Sequence, residues 1–235
     1  MLSPPRGLWP SILLLLLCAH LLHTLPLSHA SSLTSSFLTS IMTVPSRPLS
    51  QLLTTTTSLL PPPDDLPTFK PLLFPLLSSF PELDWLFVGF NDGTFTGYTH
   101  HNATSITLTE KSTPDGPLSF YTVDPDSSIP TTPHTPTSTT TYDPLTRPWW
   151  NATHSSGTWS SVYAFSLPNS PLGLTLSKPL PNIGVIGTDY LLSGLSKKLA
   201  AQFPEADGLN AYIVEEGSHY LIASSLNEVH LTTRK

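Results

Sequence analysis

The sequence predicts an α+β fold, an antiparallel sheet with helices placed around it rather than an alternating strand–helix parallel fold. Three observations carry this. Trp85 to Phe90 is an aromatic and β-branched run that meets Asn91-Asp92-Gly93, the Asp-Gly signal of a tight hairpin, and Thr94 to Thr99 reads as the returning strand. Further strand-like runs, 158–167, 172–180 and 183–188, succeed one another with no helical pattern between them. The best helix pattern spans 190–203, with Leu192, Leu195 and Leu199 on one face, Phe203 a turn beyond, Asp189 in an N-cap position and Pro204 as the stop.

Taken in order, residues 1–30 read as an export signal, either a cleaved signal peptide or a signal anchor. Arg6 is its positive end, Ile12 to Ala19 its apolar run, and Ser28-His29-Ala30 supplies small residues for a cleavage site. Residues 31–80 are rich in Ser, Thr, Pro and Leu and read as a stalk or linker, because Pro45, Pro48 and Pro61-Pro62-Pro63 break any long helix. A globular pattern runs from 81 to 208. It includes a further strand at 118–123 and a low-complexity loop at 131–141 (TTPHTPTSTTT) too polar to pack a core. Within 209–235, Leu209 to Val214 and His219 to Ala223 read as a hairpin around Glu215-Glu216-Gly217.

Composition removes several function classes. Only 11% of the 235 residues are charged and the net charge is -6, with adjacent basic residues only at Lys197-Lys198 and Arg234-Lys235, so a nucleic-acid footprint is not expected. Cys18 is the only cysteine, which leaves no disulfide scaffold, CxxC redox site or cysteine–zinc site. The sequence holds no GxSxG, GxxxxGK[ST], HExxH or GxGxxG. His100-His101 has no partner histidine at ligand spacing. A non-enzyme without cofactor or metal is therefore expected. Asn102-Ala103-Thr104 and Asn151-Ala152-Thr153 are sequons, so glycan is expected at Asn102 or Asn151 on a secreted chain or the extracellular face of a membrane.

The densest chemistry lies in Tyr142-Asp143-Pro144-Leu145-Thr146-Arg147-Pro148-Trp149-Trp150. A guanidinium there can fork onto a carboxylate while two indoles exclude water, which is the chemistry of holding a small anion or zwitterion. The same residues also fit a structural role, with the indoles as core and Arg147 bonded to a nearby carbonyl.

The ordered blocks resemble the double Cache domain, an extracellular sensor module of two PAS-like units. They are Trp85-Leu86-Phe87-Val88-Gly89 with Asp92-Gly93 and Tyr98, then Tyr142-Asp143-Pro144 through Arg147-Pro148-Trp149. Trp159 with Tyr163, Gly184-Val185-Ile186-Gly187-Thr188-Asp189, and Tyr212-Ile213-Val214 with Gly217 complete the set. The resemblance spans about 81–225. It implies a PAS-like antiparallel sheet flanked by helices, with the second PAS-like unit cut short. By position it assigns Tyr142, Arg147, Trp149, Trp150, Tyr163 and Asp189 to a ligand pocket. Arg147 would take a carboxylate and Asp189 an ammonium, although Trp150 stands where that pattern has tyrosine. Asp189 equally fits a helix cap, Tyr142 a turn and Tyr163 the core. The implied function is extracytoplasmic sensing of an amino acid, amine or carboxylate in a receptor. Membrane attachment would come only through the signal anchor or a missing C-terminal region, and a homodimer is compatible. Two other readings stay open. One is a secreted or membrane-tethered glycoprotein or channel-associated subunit that uses the fold for protein contacts. The other is the sensor fragment of a larger nucleotide cyclase or histidine kinase.

Overall fold

The computed structural model describes residues 12–19, 66–81, 83–102, 105–124, 130–134, 142–151, 158–167, 170–203, 209–215 and 220–226. The expected cleavage residues Ser28-His29-Ala30 and the linker up to residue 65 lie outside them. Two compact units emerge, Pro45–Tyr190 and a second made of Leu191–Lys235 with Met1–Val44.

In chain order the elements are β1 (Ile12–Ala19), α1 (Leu66–Ser79), β2 (Trp85–Phe90), β3 (Phe95–Asn102), β4 (Ser105–Lys111), β5 (Ser119–Val123) and β6 (Pro130–His134). A 3-10 turn (Pro144–Thr146), α2 (Pro148–Asn151), β7 (Thr158–Trp159), β8 (Tyr163–Ala164), β9 (Leu172–Leu180) and β10 (Gly184–Leu191) follow. The chain continues through α3 (Leu192–Gln202), β11 (Leu209–Glu215) and β12 (Leu221–Ser224). The predicted fold class holds: an α+β, PAS-like arrangement.

The larger unit is one sheet in the order β6-β5-β4-β3-β2-β10-β9-β7, with β8 also on β9. β2 pairs antiparallel with β3 on one side and with β10 on the other, placing Trp85 opposite both Thr99 and Asp189. The β2–β3 turn forms as the Asp-Gly signal required. Gly93 takes φ +84°, and the Asp92 carboxylate accepts from the Thr94 amide at 2.9 Å and its hydroxyl at 2.7 Å.

Every residue of β2 is buried, because both faces of the sheet are covered. Strand alternation sends Leu86, Val88 and Phe90 to one face and Trp85 and Phe87 to the other. The first face is covered by α1, where Phe69, Leu73 and Leu77 form a fully buried stripe and Phe69 meets Phe90 edge-on at 5.4 Å. Residues 66–80 therefore correct the linker expectation. Pro71 and Pro75 sit on the exposed side, so the lost amide bonds are outweighed by burial of the Phe69–Leu73–Leu77 stripe.

Other expectations shift too. The 158–167 strand is two short ladders, β7 and β8, both on β9. β4 was not foreseen, and β6 falls partly within the 131–141 loop. Asp189 does not cap a helix. β10 continues past Thr188 to Leu191, which is itself the N-cap of α3 without a side-chain bond.

In the second unit β1, β11 and β12 form a three-stranded antiparallel sheet, and α3 packs on β12. The helix thus belongs with this unit rather than with the 81–208 block. Its sheet includes Ile12–Ala19, the apolar run of the expected export signal.

Candidate functional site

On the face of the sheet opposite α1, the Tyr142–Trp150 tract folds as a turn followed by a short helix. Asp143 accepts from the Leu145 amide at 3.0 Å and starts the 3-10 turn, and Pro148 opens α2. Ser177 on β9 donates to the Trp149 carbonyl at 2.9 Å, tying α2 to the sheet. Trp149 is 2% exposed and packs edge-on against Phe87 at 4.9 Å. Gly89 makes this possible, since a Cβ there would lie 2.6 Å from Trp149 Cη2.

Arg147 leaves the turn with its guanidinium over the rings of Tyr142, at 5.8 Å, and Tyr163, at 5.2 Å. One of its N–H groups donates to the Ala164 carbonyl at 2.8 Å. Among the described residues no carboxylate forms an ion pair with it.

Asp189 projects from β10 and is 2% exposed. Thr175 on β9 donates to its Oδ1 at 2.5 Å, and the same hydroxyl lies 2.6 Å from the Tyr163 hydroxyl. Burial pushes the Asp189 carboxyl up to about 8. The Thr175 bond opposes that rise, Asp84 adds to it and Arg147 opposes it. Burial likewise holds the hydroxyls of Tyr142 and Tyr163 protonated well above the usual phenol range.

These groups surround one small cavity of about 10 Å³, room for about one water. Tyr142, Arg147, Trp149, Tyr163 and Asp189, five of the six residues assigned by resemblance, line it together. Trp150 does not; it packs against Trp149 at 5.8 Å, outside the lining. Sequence reading missed Trp85, Phe87, Phe95, Phe165 and Ser166, which complete the wall. Alternation along β2 and β3 marks Trp85, Phe87 and Phe95 as one face, but not as the face turned toward Arg147. Among the described residues Trp85 Nε1 finds no hydrogen-bond partner, although it is buried. The arrangement is a cation and a carboxyl held apart in an aromatic box, with no nucleophile–base pair among the lining residues. Among the described residues no cluster of three metal-ligating side chains occurs, and no helix is long and apolar enough to cross a membrane.

No protein-family model matches the chain. No curated protein matches it either. Solved structures do. The ligand-binding domain of Campylobacter jejuni chemoreceptor Tlp3 in complex with 4-methylisoleucine aligns with a TM-score of 0.52 at 12% identity, covering 86% of this chain and 70% of that one. The same receptor's domain in complex with L-valine aligns with a TM-score of 0.50 at 13% identity, covering 84% and 67%. The chain shares the double Cache-type fold of these ligand-binding sensory domains.

Proposed function

We propose that the larger unit is a non-catalytic sensory domain that binds a small zwitterion, with an amino acid as the first class to test. The observation that carries this is the placement of Arg147 and Asp189 on one aromatic-walled cavity without an ion pair between them. A buried carboxyl is costly to ionise without a cationic partner, and the half-buried Arg147 guanidinium keeps donors that its single bond to the Ala164 carbonyl does not use. A ligand carrying both a carboxylate and an ammonium supplies both, in a setting where the aromatic walls exclude water and strengthen each contact.

The cavity is far smaller than the several hundred Å³ of a typical ligand pocket. Binding therefore requires the walls to part. The Arg147–Ala164 hydrogen bond is the natural one to exchange, because a ligand carboxylate is a stronger acceptor for a guanidinium than a backbone carbonyl. Such a rearrangement gives the domain two states with different ligand affinity, which is what a sensor needs. That the solved structures of like fold hold L-valine or 4-methylisoleucine supports aliphatic amino acids as first probes.

A thermal-shift screen of the purified protein against amino acids, amines and carboxylates tests the reading. Stabilisation by amino acids, weakened when either charged group of the ligand is removed, is the expected result. Uniform indifference to all three classes would leave the cavity a structural feature. The export reading is a separate proposal, placing the domain in a secreted protein or on the extracellular face of a membrane. Cleavage after Ala30 would remove β1 from the second unit, so N-terminal sequencing of the exported protein decides whether Ile12–Ala19 remains.

A further inference from the structure

We infer that Thr175 couples the two recognition ends of this cavity, its single hydroxyl proton linking the state of Asp189 to the hydrogen-bonding role of Tyr163. The inference rests on the ligand-binding reading above and adds a positioning residue that no motif of the sequence singles out.

Thr175 is fully buried on β9, and its backbone is held at both ends. Its amide donates to Ser160 Oγ at 3.0 Å, and its carbonyl accepts from the Ser160 amide at 2.8 Å. The side chain therefore has a fixed base from which to reach Asp189 Oδ1 on one side and the Tyr163 hydroxyl on the other.

A hydroxyl has one proton to give, whereas an ionised carboxylate only accepts. With Asp189 ionised, Thr175 donates to Oδ1, so Tyr163 must spend its phenolic proton on Thr175. With Oδ1 protonated, Asp189 donates to Thr175, the Thr175 proton turns to the Tyr163 oxygen, and the phenolic proton is free for another acceptor. Tyr163 lines the cavity with the Arg147 guanidinium over its ring, so the acceptor within reach of both is a ligand carboxylate.

The two proton arrangements thus present different sites. One offers a carboxylate to an ammonium, and the other adds a phenol O–H beside Arg147 for a carboxylate. The charged and titratable groups that bear on Asp189 are Asp84, which favours the protonated arrangement, and Arg147, which favours the ionised one. Tyr163 and Tyr142 feel the Asp189 charge but keep their own protons.

The test needs no ligand, so its outcome is independent of whether an amino acid binds. The full chain is labelled at tyrosine Cζ and at the aspartate carboxyl carbon, and followed by NMR through the titration of Asp189. Tyr163 is assigned from Tyr163→Phe, and Asp189 from Asp189→Asn. The Tyr163 resonance should step at the Asp189 midpoint in the wild type and in Thr175→Ser. Tyr142, assigned from Tyr142→Phe, is the control, since it feels the Asp189 charge while only Tyr163 shares the Thr175 hydroxyl. The Tyr163 step should exceed the Tyr142 step in the wild type, vanish in Asp189→Asn, and fall to the size of the Tyr142 step in Thr175→Val and Thr175→Ala. A Tyr163 step that keeps its full size in folded Thr175→Val or Thr175→Ala overturns the coupling, as does its absence from the wild type. Where neither of those variants folds, a Tyr163 step larger than that of Tyr142 in both wild type and Thr175→Ser upholds it, and equal steps at the two tyrosines sink it.

Discussion

Asp189 sits directly opposite Trp85 in the β10–β2 register, so a buried carboxyl and a buried indole rise from the same face of adjacent strands. Both residues line the cavity that Arg147 also lines. Sheet register thus builds one half of the site and the Tyr142–Trp150 turn the other.

Arg147→Lys should weaken recognition of the carboxylate while leaving the fold intact. A lysine keeps the charge but loses the planar fork, and with it the paired bonds to a carboxylate and the stacking on Tyr142 and Tyr163. Leaving the ligand group without its partner costs about 1–3 kcal/mol, or roughly tenfold to hundredfold in affinity. Calorimetric titration with L-valine checks this, and an unchanged affinity would show that Arg147 serves only the Ala164 carbonyl.

Gly89→Ala should destabilise the larger unit and impair binding together. The new methyl meets the ring of Trp149, which is held between Phe87 and the β9 tether and cannot swing out. Overpacking of this kind costs about 1–3 kcal/mol. Displacing the indole also deforms the cavity wall. Urea unfolding and the thermal-shift response should therefore both change.

Leu73→Ala should cost about 2–5 kcal/mol, the usual range for truncating a fully buried leucine. A surface-linker residue would cost almost nothing, so urea denaturation separates the two views of residues 66–80. A fragment that begins after Ser79 should expose the face formed by Leu86, Val88 and Phe90 and fail to fold.

What could be read from the sequence follows from how far a signal is local. The 172–180 strand and the Asp-Gly hairpin have short-range causes, and both form where expected. α1 escaped notice because Pro71 and Pro75 disrupt the helical pattern on the solvent side, while the stripe that sustains it shows only once a sheet covers it. Asp189 looked like a helix cap since an aspartate precedes an apolar helical pattern. Its true place depends on β10 continuing to Leu191, a matter of pairing with β2 that lies about a hundred residues upstream in the chain. Thr175 carries no signature of its own. Threonine is common in strands, and only the spatial meeting of β8, β9 and β10 gives its hydroxyl two partners.

The protonation of Asp189 yields a prediction whose sign is opposite to the usual carboxylate. In the folded protein burial pushes the Asp189 carboxyl up to about 8, above the ordinary 3.8 of an aspartate, so between these the native state binds the extra proton. Stability from this group is full at low pH and is lost as pH rises, since the unfolded chain ionises freely while the folded one resists. The difference in unfolding free energy between wild type and Asp189→Asn should therefore move steadily against the wild type from about pH 4 to about pH 8 and then level off. Binding runs the other way. A ligand bearing an ammonium needs the ionised form, so its affinity should rise about tenfold per pH unit below that midpoint, with one proton released per ligand bound. A carboxylate lacking the amine should show no such rise. Calorimetry of L-valine and 3-methylbutanoate in buffers of different ionisation enthalpy reads the proton directly. Equal pH dependence for the two ligands would mean that Asp189 does not meet the ammonium.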